Sequence, residues 1–114
     1  MSDNINGLIN TITLGTSIKG DIQANGDFRM DGSLDGNITL TGKLVIGEQG
    51  RIVGDVVCQN ANVLGSIDGN LSVKEFLTLY STSRVKGDIV ANKLAIEPGA
   101  YFNGSCHMLD ELSD

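Results

Sequence analysis

The stretch Gly32-Ser33-Leu34-Asp35-Gly36-Asn37-Ile38 returns almost unchanged as Gly65-Ser66-Ile67-Asp68-Gly69-Asn70-Leu71. Tripeptides made of a glycine, a small polar residue and an apolar residue recur through the 114-residue chain, and six of them follow one another at intervals of 15 to 18 residues. The repeated glycines are Gly20, Gly36, Gly54, Gly69, Gly87 and Gly104. Their average spacing of about 17 residues predicts a solenoid in which each repeat forms one coil.

Apolar residues alternate with polar ones around each glycine, with the period of two that strands require. The sets expected to face inward are Ile18/Ile22/Ala24, Leu34/Ile38/Leu40, Ile52/Val56/Cys58, Ile67/Leu71/Val73, Val85/Ile89/Ala91 and Phe102/Cys106/Met108. Further short strands are predicted between the glycines by the apolar pairs Phe28/Met30, Leu44/Ile46, Leu77/Leu79 and Leu94/Ile96. Because such a coil cannot bury its apolar face alone, we expect six coils to stack into an all-β, single-domain parallel β-helix.

Two polar columns support this register independently. The residues directly after the glycines are Asp21, Asn37, Asp55, Asn70, Asp88 and Ser105, so that no two carboxylates are nearest neighbours along the stack. Like charges directly opposite each other are destabilising, and the sequence avoids them. The residues before the glycines place Lys19 beside Asp35, and Asp68 beside Lys86, as attractive pairs.

Composition and charge exclude several function classes. A chain of this length has room for one domain, so multi-domain enzyme architectures are excluded. The net charge of −6, from 14 acidic against 8 basic residues, argues against nucleic acid as a partner. No apolar run approaches the ~20 residues that span a bilayer, and no signal peptide is evident, so we expect a cytoplasmic protein.

The residues that could carry chemistry are few, and we expect no catalytic site, cofactor or metal. His107 is the single histidine, with no partners that suggest a zinc site or a catalytic triad, and is interpreted as a surface residue. Cys58 and Cys106 both fall at inward positions, three coils or about 14 Å apart, which is too far for a disulfide. Both are therefore interpreted as small core residues.

The chain divides into an N-terminal segment (1–14), the β-helix (15–108) and a short acidic tail (109–114). In the first segment, Ile5, Leu8, Ile9 and Ile12 recur at helical spacing and are candidates for membrane contact, although the segment has no Lys or Arg to attract anionic lipids. Packing over the first coil is the alternative, since Thr11-Ile12-Thr13-Leu14 alternates like a strand.

Both ends of the expected rod lack an evident polar cap, which solenoids normally need. The first coil offers Leu14, Ile18, Ile22 and Ala24, and the last coil offers Tyr101, Phe102, Cys106 and Met108. We therefore expect these two sets of residues to be the contacts of an end-to-end homopolymer.

The repeat pattern resembles that of bactofilins, the bacterial polymer-forming cytoskeletal proteins, over about Gly15 to Met108. The resemblance rests on the six repeats, including Ile-Lys-Gly-Asp-Ile at 18–22 and Val-Lys-Gly-Asp-Ile at 85–89, together with coil number and chain length. It implies a right-handed, three-sided β-helix that assembles without nucleotide into non-polar filaments. It also implies a cytoplasmic scaffold, often at the inner face of the membrane, for cell-wall, cell-shape or motility proteins.

The alternative is a left-handed β-helix acyltransferase of the hexapeptide-repeat class. Apolar or small residues do fall every six positions at Ile22, Phe28, Leu34, Leu40, Ile46, Ile52, Cys58 and Leu64. Against this, coils of variable length break a strict hexapeptide phase, and the one histidine lies near the end of the chain.

Overall fold

The structure is a computed structural model that describes residues 9–108, all of them in short strands and the turns between them. The strands form the three faces of a solenoid, with one strand of each face in every coil. Face I consists of β2 (Ser17–Lys19), β5 (Ser33–Asp35), β8 (Arg51–Val53), β11 (Ser66–Asp68), β13 (Arg84–Lys86) and β15 (Tyr101–Asn103). Every pairing in it is parallel, and it forms a six-stranded sheet of its own.

Faces II and III belong to one ten-stranded sheet, because two long strands turn the corner between them. Face II consists of β3 (Ile22–Ala24), β6 (Ile38–Leu40), β9 (Val56–Cys58), the first parts of β12 (Leu71–Leu79) and β14 (Ile89–Ile96), and β16 (Cys106–Met108). Face III consists of β1 (Ile9–Ile12), β4 (Asp27–Met30), β7 (Lys43–Ile46), β10 (Asn60–Val63) and the second parts of β12 and β14. The chain thus makes six coils, which confirms the predicted fold class and coil number.

The core is built from five columns of inward side chains, one on face I and two on each of the other faces. Four inner coils contribute five residues each, and these account for all 20 of the buried hydrophobic residues between 9 and 108. Every inward-facing residue predicted for those four coils is among them. The additional members are Ala61 and Val63 on β10, which are small enough that their strand carries a weak apolar signal.

The first paired strand is β1, which lies beside β4 with Ile12 opposite Met30. Its backbone is therefore that of a strand, although Ile9 and Ile12 also fit a helical spacing in the sequence. The side chain of Ile12 is partly buried and packs against the core. Ile5 and Leu8, the other two membrane candidates, lie outside the described residues, as does the acidic tail after residue 108.

The polar column after the repeated glycines forms a continuous ladder of hydrogen bonds. In each coil the side-chain oxygen of this residue accepts the backbone N–H of its equivalent in the next coil, as Asp21 does from Asn37 at 3.0 Å and Asn37 from Asp55 at 2.8 Å. The same contact continues through Asn70 and Asp88 to Ser105. The column before the glycines also has the predicted register, with Lys19 opposite Asp35 and Asp68 opposite Lys86.

The hexapeptide spacing does not correspond to a constant place in the coil. A coil of three hexapeptides would stack Ile22 on Leu40, its third successor in the hexapeptide series. In the structure Ile22 instead pairs with Ile38, because this coil is shorter than three hexapeptides. Residues six positions apart therefore lie in different columns of the stack, because the coils differ in length.

The two cysteines have different environments. Cys58 is buried in the third coil, as predicted, and its burial raises the pKa of the thiol to about 12. Cys106 is exposed, so the interpretation of it as a core residue is wrong. It does occupy an inward column, opposite Ile89, but it lies in the last coil, over which no further described coil stacks.

Candidate assembly surfaces

The candidate functional surfaces are the two ends of the solenoid, where the core columns stop. We define the N-terminal end as the inward residues of the first coil, which are Asn10, Ile12, Ile18, Ile22 and Ala24. The C-terminal end is the corresponding set in the last coil, which is Leu94, Ile96, Phe102, Cys106 and Met108. None of these ten residues is buried, whereas all their counterparts in the four inner coils are.

Exposure at the C-terminal end follows from position in the stack. Ile96 and Leu79 are opposite each other in one column, yet Ile96 is 50% exposed and Leu79 is 0% exposed. On face I, Phe102 is opposite Val85. Val85 is fully buried, whereas Phe102 is only partly buried. An apolar surface therefore extends across all three faces at this end.

The N-terminal end is also apolar, but its side chains are smaller. Ile18, Ile22 and Ala24 are the first members of their columns and are partly buried against the second coil. Asn10, opposite Phe28, is the one polar member, and its side-chain amide donates to the backbone oxygens of Asn25 and Asp27 at 3.5 and 3.3 Å. The two ends therefore differ in shape and chemistry.

Two of the residues expected as assembly contacts lie outside the core columns. Tyr101 is opposite Arg84 on the outer side of face I, where the guanidinium carbon of Arg84 lies 5.0 Å from the centre of the tyrosine ring. Leu14 is 68% exposed in the turn between β1 and β2, outside the core columns. Strand alternation with period two is the signal that separates Tyr101 from its inward-facing neighbour Phe102.

Four residues of the ends are not among the expected contacts, namely Asn10, Ile12, Leu94 and Ile96. Leu94 and Ile96 form the last of the apolar pairs between the glycines, so their place at the end of the stack could be inferred from the repeat. Ile12 is a candidate for membrane contact in the sequence because its helical spacing competes with its strand alternation. Once β1 is paired with β4, Ile12 becomes the first member of a core column.

No metal-binding or membrane-spanning feature occurs in the described part of the chain. Residues 9–108 contain no cluster of three or more His, Cys, Asp or Glu side chains placed to hold a metal ion. They also contain no helix of the length and hydrophobicity needed to cross a bilayer. His107 is exposed, as predicted.

Comparison with known proteins agrees with this architecture. A family model described as bactofilin, polymer-forming cytoskeletal, matches residues 10–107. The crystal structure of a phenylalanine-to-arginine mutant of bactofilin from Thermus thermophilus superimposes with a TM-score of 0.75 at 27% identity, over 79% of this chain and 100% of that chain. The solid-state NMR structure of the cytoskeletal bactofilin BacA gives a TM-score of 0.77 at 33% identity, over 86% of this chain and 93% of that chain.

No curated protein sequence matches the chain at a significant level. The family model nevertheless covers all but the extreme ends of the chain, and it begins and ends within the first and last coils. The six-coil solenoid is therefore that of a member of the bactofilin family of polymer-forming cytoskeletal proteins.

Proposed function

We propose that this chain assembles end to end through the two ends of its solenoid, without bound nucleotide, into non-polar filaments that serve as a scaffold. The family to which it belongs is structural and cytoskeletal rather than enzymatic. The observation that carries the proposal is the uncovered core, as in the column where Ile96 is half exposed above a fully buried Leu79. Another copy of the chain would cover this surface in the way that an inner coil covers its neighbour.

The forces available at the ends do not require an energy source. Burial of apolar surface contributes about 25 cal/mol per Å². Within residues 9–108 the outermost strands are paired on one side only, and a second copy would pair their other edges as a continued sheet. Solenoids that remain monomeric usually block such ends with polar caps, and no cap is present on the described coils.

Contacts between like ends are the simplest source of a filament without polarity. An isologous contact places the same residues of two copies about a twofold axis, so it closes after one pairing. Because the chain has two chemically different ends, alternating C-to-C and N-to-N contacts would extend the filament indefinitely. Its two tips would then be equivalent, whereas head-to-tail stacking would give distinct tips.

Sedimentation and negative-stain microscopy of the purified protein, without nucleotide, would test assembly. We expect filaments from the wild type and from Tyr101→Arg, but none from Phe102→Arg. Tyr101 and Phe102 are adjacent and the two variants add the same charge, but only Phe102 faces inward at the end of its column. Loss of filaments in both variants, or in neither, would overturn the assignment of the C-terminal end.

The same variants distinguish like-end contacts from head-to-tail contacts. With one end blocked by Phe102→Arg or by Ile18→Arg, like-end contact leaves each variant as a dimer through its intact end, and head-to-tail contact leaves each as a monomer. A mixture of the two variants would form heterodimers only by head-to-tail contact. Analytical ultracentrifugation reads out all of these species, and monomers that form heterodimers on mixing would refute a non-polar filament.

The scaffold role extends to partners and location. We propose a cytoplasmic filament that positions cell-wall, cell-shape or motility proteins, with contact to the inner face of the membrane through the first residues of the chain. Because Ile12 packs against the core, the residues before it would have to make the membrane contact. Co-sedimentation with anionic vesicles, comparing the full chain with one that begins at residue 9, would test this contact. Equal binding of the two forms would contradict it.

A further inference from the structure

A notch on the outer side of face I combines three long cationic side chains with one short polar residue. Ser66 lies between Arg51 and Arg84 on adjacent parallel strands, with direct pairing on both sides. Because serine is short, the arginines rise on either side of it and enclose a depression of about 190 Å³, which Asp68 and Lys86 also line. At ~4.8 Å per strand the two arginine backbones are roughly 10 Å apart, which leaves room for one anionic group between their side chains.

The charge of this face is opposite to that of the rest of the chain. Face I carries Lys19, Arg51, Arg84 and Lys86 against Asp35 and Asp68, a net charge of +2 in a protein whose total is −6. The remaining residues therefore carry −8. The notch itself contributes three of the four cations, and two of the chain's three arginines. This concentration of guanidinium groups, which recognise carboxylates in a fixed planar geometry, favours an anionic occupant.

One wall of the notch is positioned in advance. The guanidinium carbon of Arg84 lies 5.0 Å from the centre of the Tyr101 ring, a cation–π geometry that restricts the arginine side chain. Ser66 at the floor is only partly buried, so its hydroxyl can reach a bound oxygen. Less side-chain entropy is lost when a ligand binds to groups that are already oriented.

Apolar surface next to the notch argues for a peptide rather than a simple ion. Val53 and Tyr101 are 37% and 39% exposed on the same face. Tyrosine and arginine are among the residue types enriched at protein interfaces. Asp68 within the notch opposes a doubly charged phosphate more strongly than a single carboxylate.

We propose that this notch binds the carboxylate of an aspartate or glutamate in an extended acidic segment of a partner protein, with aliphatic neighbours of that residue resting on Val53 and Tyr101. Face I lies on the side of the solenoid and not at its ends, so end-to-end assembly leaves it accessible. A filament would then present one such notch per chain, and a partner with several acidic segments would bind with increased avidity. The notch itself does not depend on assembly.

Fluorescence anisotropy with a labelled Val-Glu-Val-Glu-Val peptide and its glutamine counterpart would test the proposal on the full chain. We expect only the glutamate peptide to bind, and its binding to weaken as salt concentration rises. Arg51→Gln and Arg84→Gln should each weaken binding about tenfold, the loss typical of a hydrogen bond to a charged group. Arg29→Gln is the matched control, because it removes the same charge from face III, where Arg29 pairs with Asp31 at 2.7 Å. Circular dichroism verifies that each variant is folded.

Four results would overturn this assignment. One is absence of binding at millimolar chain concentration, and another is equal binding of the two peptides. The third is a loss in Arg29→Gln as large as those in the two notch variants, which would indicate non-specific attraction. Competition with inorganic phosphate and acetate tests the carboxylate preference, and displacement by phosphate at lower concentration than acetate would contradict it. Since the readout is binding per chain, it is valid whether or not filaments form.

Discussion

The backbone carbonyl oxygen of Gly36 lies too close to the position of a β-carbon on Gly54 for the two atoms to coexist. The same relationship recurs between the repeated glycines from one coil to the next along the column, up to Gly104 over Gly87. The glycine column is therefore a close approach of backbone to backbone at the corner between faces I and II. This contact explains why the repeat is marked by glycine and not by another small residue.

Gly54→Ala should destabilise the protein much more than Gly20→Ala. Both residues have positive φ, 146° and 126°, so alanine is strained at either position, by about 1–2 kcal/mol. Only at Gly54 does the added methyl group also collide with the preceding coil, since nothing lies within 4 Å of the corresponding atom at Gly20. We expect a total loss of roughly 4 kcal/mol or more for Gly54→Ala, in the exceptional range for a single substitution. Urea denaturation followed by circular dichroism would measure both, and equal midpoints would contradict the steric explanation.

Ser83→Ala should stabilise the protein. Ser83 is 1% exposed at the corner before face I, and its hydroxyl has no hydrogen-bond partner among the described residues. An unsatisfied buried hydroxyl lowers the free energy of unfolding by about 1–3 kcal/mol, and the alanine substitution removes the hydroxyl while leaving only a very small cavity. The expected result is a higher melting temperature. Ser72→Ala is the control, because Ser72 is partly exposed on face II. A lower melting temperature for Ser83→Ala would show that the hydroxyl is satisfied.

Ser105→Ala should raise the pKa of Asp88. The pKa of this carboxyl lies below its ordinary value of 3.8, chiefly because the Ser105 hydroxyl donates to it at 2.8 Å and the Ser105 N–H at 3.3 Å. A depressed pKa means that the ionised form stabilises the fold above pH 3.8, and that this stabilisation is lost as pH falls through the folded-state value. The carboxyl-carbon chemical shift of Asp88, titrated in both forms, would measure the change. An identical midpoint in the variant would show that the hydroxyl does not stabilise the carboxylate.

The two cysteines should differ sharply in their reaction with a maleimide at pH 8. Cys58 is buried, and its pKa of about 12 leaves a thiolate fraction on the order of 10⁻⁴ at that pH. Cys106 is exposed, so one label per folded chain is expected, with the second added only on unfolding. Mass spectrometry of labelled peptides identifies the site, and Cys106→Ser is the control. In sedimented filaments Cys106 should be protected, and labelling as fast as in the unassembled chain would contradict its place in the assembly contact.

The local pattern of the chain was sufficient to predict a stack of six coils built from short strands, whereas its three-sided form was implied by the family resemblance. Alternation with period two is a property of each strand by itself, and the repeated glycines place those strands in coils, so columns such as Ile52 and Ile67 could be derived without coordinates. The polar ladder was predictable for the same reason, because Asp55 and Asn70 occupy the same offset from their glycines. The sequence pattern does not predict the strand that contains Ala61 and Val63, because these two side chains give only a weak apolar signal.

Coil number, inward faces and register could thus be derived from the sequence alone, since all three depend on spacing along the chain. Which of the inward residues are covered depends on how the coils stack. Val85 and Phe102 lie in the same column, and Cys58 and Cys106 both fall at inward positions, yet the first of each pair is buried and the second is not. Burial of an inward side chain in a solenoid requires a coil on both sides of it, and that is a property of the stack rather than of the strand.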